Sequence, residues 1–188
     1  TYSVTTIRGG AFFNNALTSV TIPDSVTIIR ANAFYINALT SVIIPDSVTT
    51  IGDNAFGINA LTSVIIPDSV TSLSGFNSNA FTSVVIPDSV TTIGEFAFIL
   101  NALPSVIIPD SVTSLRRSAF YINAHPSATL SCNVTTLSTT TFSTHATTPP
   151  TTHTTTTTQP HTHSLRKLAT LHKVSFPNPS RSFTRPIH

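Results

Sequence analysis

The sequence repeats itself. The pentapeptide Ile-Pro-Asp-Ser-Val recurs with its proline at positions 23, 45, 67, 87 and 109, at spacings of 22, 22, 20 and 22 residues. A fixed period of this size marks a solenoid or array, because a unit so short cannot bury a core alone. Neighbouring units must stack, with successive strands about 4.8 Å apart.

An Ala-Phe pair follows within the units, as Ala33-Phe34, Ala55-Phe56, Ala97-Phe98 and Ala119-Phe120, and an Asn-Ala pair begins three residues after each Phe. Ala11-Phe12 and Asn15-Ala16 place a partial unit before the first proline. The 20-residue unit is shortened between Leu73 and Phe76, while Asn79-Ala80 and Ser83-Val84-Val85-Ile86 keep their phase. An indel that spares the apolar ladder belongs in a loop. Moving 22 residues on from Val112, Leu115, Phe120 and Ala124 lands on Val134, Leu137, Phe142 and Ala146. A decayed unit therefore continues to about residue 146.

Each unit reads as a short strand, a turn, a second extended stretch and a loop. In Leu39-Thr-Ser-Val-Ile-Ile44 the β-branched run favours strand. Pro45-Asp46-Ser47 ends it, since Pro cannot donate to a ladder and Asp favours turns. Val48 and Ile51 then resume the apolar pattern.

The pattern Leu-x-x-Val-x-Ile-Pro-Asp-Ser-Val-x-x-Ile-x-x-x-Ala-Phe, over about residues 1–128, resembles the BspA-like class of leucine-rich repeats. That resemblance implies a β-rich solenoid of the leucine-rich-repeat type, with units of about 22 residues and a parallel sheet. It also implies a cell-surface or secreted adhesion role. The family usually carries Cys three residues after the Phe; here the position is Asn15, Asn37, Asn59, Asn79, Asn101 and Asn123. Asn does the same structural job by bonding to loop backbone groups. The expected organisation is a solenoid over 1–128 with a partial first unit and five full ones. A decayed repeat over 129–146 and a low-complexity, basic, disordered tail over 147–188 follow it.

Charge divides the chain the same way. Only 9% of residues are charged, against about 25% in an ordinary domain. Residues 1–115 hold all seven acids and only Arg8 and Arg30, a net of −5, whereas 116–188 hold seven bases and no acid, a net of +7. With no Met anywhere, Thr1 reads as a processed or truncated start. The single Cys132 cannot form an internal disulfide, and no apolar run approaches the roughly 18 residues of a membrane span. The start does not look like a signal peptide.

In a stack, equivalent positions form rows. Asp24, Asp46, Asp68, Asp88 and Asp110 form an acidic one. Like charges at stacked spacing invite a cation, but one carboxylate per unit falls far short of the about 6–8 oxygens calcium takes. Capping of each Pro-Asp-Ser turn is the simpler role. Thr21, Ile43, Ile65, Val85 and Ile107 lie between the two inward residues of each strand, so alternation points them outward. An exposed β-branched stripe is a candidate contact surface, unless a second layer covers it. Thr5, Thr27, Thr49, Thr71, Thr91 and Thr113, beside Ser19, Ser41, Ser63, Ser83 and Ser105, make a hydroxyl array that would order water or meet a glycan, or is simply a solvated face. The Asn row and the Phe row Phe12, Phe34, Phe56, Phe76, Phe98 and Phe120 read as structural.

Residues 147–163 contain ten Thr in seventeen positions, a composition that does not offset ordering entropy and suits a stalk. A shifted reading frame would produce the same break. His153, His161 and His163 lack the Cys or carboxylate that completes a metal site. Asn133-Val134-Thr135 is a glycosylation sequon. Arg166, Lys167, Lys173, Arg181 and Arg185 form a thin basic patch that matches no nucleic-acid motif and is placed to fold back on the acidic row. No phosphate loop, metalloprotease motif or activated nucleophile occurs, and all seven His fall from His125 onward. The sequence points to a non-catalytic protein-interaction module needing no cofactor, with a protein partner or itself as ligand and no nucleic acid expected. A self-assembling structural repeat is the alternative, and a glycan- or water-ordering Thr/Ser surface the third.

Overall fold

The computed structural model describes residues 3–124, 127–130, 133–138, 140–142 and 174–175. Among them the chain winds as a parallel β-solenoid of about six turns, with no helix. The regular strands are short and fall after the Pro-Asp-Ser-Val turn: β1 Thr6–Ile7, β2 Ile28–Ile29, β3 Thr50–Ile51, β4 Ser72–Leu73, β5 Thr92–Ile93, β7 Ser114–Leu115 and β9 Thr136–Leu137. They pair in parallel in the orders β1-β2-β3 and β4-β5-β7-β9, with partners about one period apart, such as Ile29↔Ile51 and Ile93↔Leu115. The stretch expected as the first strand of each unit forms regular pairs in fewer coils. It is present as β6 Ser105–Ile107 beside β8 Ser127–Thr129, and as the parallel bridge Thr21↔Ile43. A reason lies in its ends. The N–H of Leu39 and of Leu61 goes to an Asn side chain rather than to a strand, and the closing Pro has no N–H to give.

The core consists of stacked rows. Val26, Val48, Val70, Val90 and Val112 are fully buried, as are Ile29, Leu73, Ile93 and Leu115. Leu39, Leu61, Phe81 and Leu103 close a third row. The Phe rings form a column, face to face, from Phe12–Phe34 at 5.1 Å to Phe120–Phe142 at 5.6 Å between centroids. Each ring thus continues the burial of its neighbour, which is how 22-residue units share one core.

The shortened unit keeps this column intact. Phe56–Phe76 and Phe76–Phe98 are 5.5 and 5.6 Å apart, so the lost residues come out of the turn, where Gly75 takes a φ of 94°. Gly75 stands where other units have Ala, and its carbonyl accepts the Phe56 N–H at 2.8 Å. A Cβ there would lie 2.6 Å from the Gly52 oxygen. Phe81 replaces the Leu of the other units, with its edge against Phe76 and Phe98 at 5.9 and 6.0 Å. The period continues past its signature, since β9 pairs with β7 and Phe142 stacks on Phe120.

Val174–Ser175, strand β10, pairs antiparallel with β8. The remainder of the expected tail, with its five His, its Thr run and all five of its bases, lies outside the described residues, as does Cys132.

Candidate interaction face

The Asn row fastens one coil to the next. Asn59 donates from Nδ2 to the Phe34 oxygen of the preceding coil at 3.0 Å and to its own Phe56 oxygen at 3.1 Å, while its Oδ1 accepts the Leu39 N–H at 3.0 Å. Asn37, Asn79, Asn101 and Asn123 make the same three kinds of bond. Asn15, in the first coil, has only a local bond from its Nδ2 to the Phe13 oxygen at 3.2 Å. The residue before the Asn adopts a left-handed backbone in each unit: Asn14, Ile36, Ile58, Ser78, Leu100 and Ile122 have φ between 49° and 58°. For β-branched Ile this conformation is strained, and the side-chain bonds that follow it hold it in place.

The turn closes without the Asp side chain. Val26, Val48, Val70, Val90 and Val112 donate to the oxygen of the turn's own Pro at 2.9–3.1 Å. Ser25, Ser47, Ser69 and Ser89 donate to a Val or equivalent oxygen one coil earlier, Val4, Val26, Val48 and Val70. This corrects the expectation that the carboxylates cap these turns. Asp24, Asp46, Asp68, Asp88 and Asp110 are all exposed and take no part in these bonds. Among the described residues no group of three or more His, Cys, Asp or Glu is arranged to hold a metal ion. Of the two acids outside the row, Asp53 accepts the Ser74 hydroxyl at 3.0 Å and Glu95 is exposed.

Four of the six Thr hydroxyls bond along the stack while staying on the exposed face. Thr27, Thr49, Thr91 and Thr113 donate from Oγ1 to the oxygens of Thr5, Thr27, Thr71 and Thr91 at 3.2–3.4 Å. Their protons are spent on coil-to-coil bonds.

One aliphatic row differs from the core rows. Ile43, Ile65, Val85 and Ile107 are 83, 85, 80 and 72% exposed, although the residues on either side, Val42 with Ile44 and Val106 with Ile108, are buried. Thr21 is exposed beside Ile43, and Thr129 beside Ile107. Ser19, Ser41, Ser63, Ser83 and Ser105 are exposed two residues before this row, and the Asp row three residues after it. Five stacked positions span about 19 Å at ordinary strand spacing. The result is a face with a hydroxyl stripe, an aliphatic stripe and an acidic stripe side by side.

A parallel solenoid of 22-residue coils with a stacked aromatic core and such a face belongs to the class of leucine-rich-repeat proteins. More narrowly, the chain belongs to the family described as the BspA type leucine rich repeat region, whose pattern matches residues 1–81 and 72–185 in six copies. A leucine-rich repeat protein from Bacteroides ovatus ATCC 8483, known from a crystal structure, is 27% identical with a TM-score of 0.38. The similarity covers 58% of this chain and 42% of that one. No curated protein matches the sequence. Leucine-rich repeats generally serve as protein-interaction modules, and no helix among the described residues is long and apolar enough to cross a membrane.

Proposed function

We propose that this chain is a non-catalytic protein-binding module of the cell-surface or secreted adhesion type, and that Thr21, Ile43, Ile65, Val85 and Ile107 form its contact row. The observation that carries the reading is the exposure of four aliphatic side chains, in register, on a solenoid whose other strand-borne aliphatic side chains are buried or half-buried, Leu137 at its end excepted. The surface or secreted location comes from the family resemblance.

The energetics set what a partner has to do. Full burial of one such side chain contributes about 1.5–3 kcal/mol, so four contribute about 6–12 kcal/mol gross. Association costs about 4–15 kcal/mol in lost freedom. The aliphatic stripe alone is therefore near break-even, and a partner must also engage the Ser or Asp stripe beside it. A basic partner with an apolar ridge fits that face. A second copy placed face to face fits less well, because it brings its own five aspartates. The hydroxyl-surface alternative is weakened because four of the six Thr protons are already used between coils.

The test is binding of the native chain and of Ile43→Lys/Ile65→Lys/Ile107→Lys to a panel of immobilised matrix and cell-surface proteins. The reading expects binding to at least one of them, weakened tenfold or more in the variant, with the far-UV circular dichroism unchanged. Equal binding by both proteins would remove the row as contact surface, and binding to none would count against adhesion.

A further inference from the structure

One junction in the stack lacks the ladder that joins the others. The N–H groups of Thr27, Thr49, Thr91, Thr113 and Thr135 donate to the matching Thr oxygens one coil earlier at 2.8–2.9 Å, and the hydroxyls of the same residues bond to the same oxygens. Arg30, Gly52, Gly94, Arg116 and Ser138 add a second backbone bond, to the last strand residue of the coil before, at 2.8–3.4 Å. Between β3 and β4 these bonds are missing among the described residues. Thr71 gives neither its N–H nor its hydroxyl to Thr49, and the Ser74 N–H does not reach the Ile51 oxygen. The sheets β1-β2-β3 and β4-β5-β7-β9 meet at this seam.

The shortened unit is the physical cause. Leu73 and Phe76 are two positions closer in sequence than Ile51 and Phe56, and the ring column does not give way, with Phe56 and Phe76 at 5.5 Å. The strand side takes up the difference. Gly52 and Gly94, at positions where other coils carry Arg8, Arg30 and Arg116, let the strand ends lean away from the seam. A Cβ on Gly52 would lie 2.4 Å from the Ala31 nitrogen of the coil before, and one on Gly94 would lie 2.9 Å from the Ser74 Cβ. At the Phe–Asn corner the seam keeps its backbone bonds, from Phe56 to the Gly75 oxygen at 2.8 Å and from Ile58 to the Asn77 oxygen at 3.0 Å. On the strand side hydroxyls alone span it. Ser69 donates to the Val48 oxygen, and Ser74 has one proton for two acceptors, the Ile51 oxygen at 3.2 Å and the Asp53 carboxylate at 3.0 Å.

We propose that this seam is a hinge, on which the block of residues 3–59 and the block of residues 60–124 rock about the Phe–Asn corner as the gap between β3 and β4 opens and closes. Open, the buried Ser74 N–H is without an acceptor. Closed, it gains the Ile51 oxygen, while the short link from Leu73 to Phe76 pulls on the ring column. Neither arrangement satisfies both demands, which keeps the two close in energy. The seam falls between Ile43 and Ile65 of the aliphatic row, so rocking changes the curvature of the proposed contact face, and a partner engaging both residues holds one angle. That consequence rests on the contact row; the hinge itself does not.

The experiment is solution NMR on the full chain without a partner. Backbone N–H residual dipolar couplings are fitted to an alignment tensor for each block. The hinge predicts that each block fits a single tensor and that the two tensors differ beyond the fitting error. Amide exchange on the same sample should give Thr71 and Ser74 protection factors at least tenfold below those of Thr91 and Gly94. One tensor for both blocks would overturn the proposal. So would the failure of either block to fit a single tensor, since bending would then be spread along the stack. A difference in protection of less than tenfold would overturn it too, because the ladder would be closed. The contact row stands or falls separately, on the binding measurement.

Discussion

Replacing Asn59 by Ala removes the fastening between two central coils. The Leu39 N–H loses its acceptor in a residue that is fully buried, and an orphaned buried donor costs about 1–3 kcal/mol. The Phe34 and Phe56 oxygens each lose one donor but keep another, from Asn37 and Asn79 respectively. Those two losses add about 0.5–1.5 kcal/mol each. The expected destabilisation is about 2–6 kcal/mol. Asn15→Ala is the internal control, because that side chain has a single exposed local bond and should cost under about 0.5 kcal/mol. Urea unfolding followed by far-UV circular dichroism reads both, with the slope compared so that a loss of cooperativity along the stack is not mistaken for a change in stability. If Asn59→Ala is as mild as Asn15→Ala, the claim that the Asn row holds coil to coil is wrong.

Phe76→Ala should cost about 3–5 kcal/mol, since the ring stacks on Phe56 and Phe98 and meets the edge of Phe81; a loss below about 1 kcal/mol in the same assay would contradict a continuous aromatic column. Ile58→Asn should raise the urea midpoint by the equivalent of about 1 kcal/mol, because Ile58 holds a φ of 49° that Asn tolerates better; a lowered midpoint would show that its packing outweighs the strain. Gly75→Ala should be destabilising by more than about 1 kcal/mol, through both its φ of 94° and the approach to the Gly52 oxygen; an unchanged midpoint would mean the turn relaxes freely. Ile43→Lys should leave stability within about 0.5 kcal/mol, unlike the same change at buried Ile44.

Much of this architecture is legible in the residues. The period alone places the Phe and Val rows inside and puts Ile43 outside between Val42 and Ile44, because stacking and alternation follow from spacing. The position of the two-residue deletion is legible for the same reason: the apolar ladder cannot be cut, so the turn before Phe76 gives way. Hydrogen-bond direction is less legible. An Asn at a loop announces a polar contact, but nothing in its identity says that Asn59 reaches back to Phe34 and forward to its own Phe56 at once. Nor does Asp after Pro reveal that the turn closes on the Val N–H and the Ser hydroxyl instead. The left-handed backbone at Ile36, Ile58 and Ile122 runs against the preference of the residue itself, so only the three-dimensional context discloses it. The candidate contact row lies between these cases. Its exposure follows from alternation and the Ser and Asp rows beside it follow from the period, whereas the exposure of the carboxylates, free of the turn bonds expected of them, is visible only in the structure.

The account depends most on the aliphatic row being open to solvent in the whole chain. Methyl NMR of the full protein with a soluble nitroxide measures this directly, residue by residue. The methyls of Ile43, Ile65 and Ile107 should broaden strongly, and those of Ile29, Ile44, Ile51 and Ile93 should not. Equal protection of both sets would mean that another part of the chain covers the row, and the face described here would not be available to a partner.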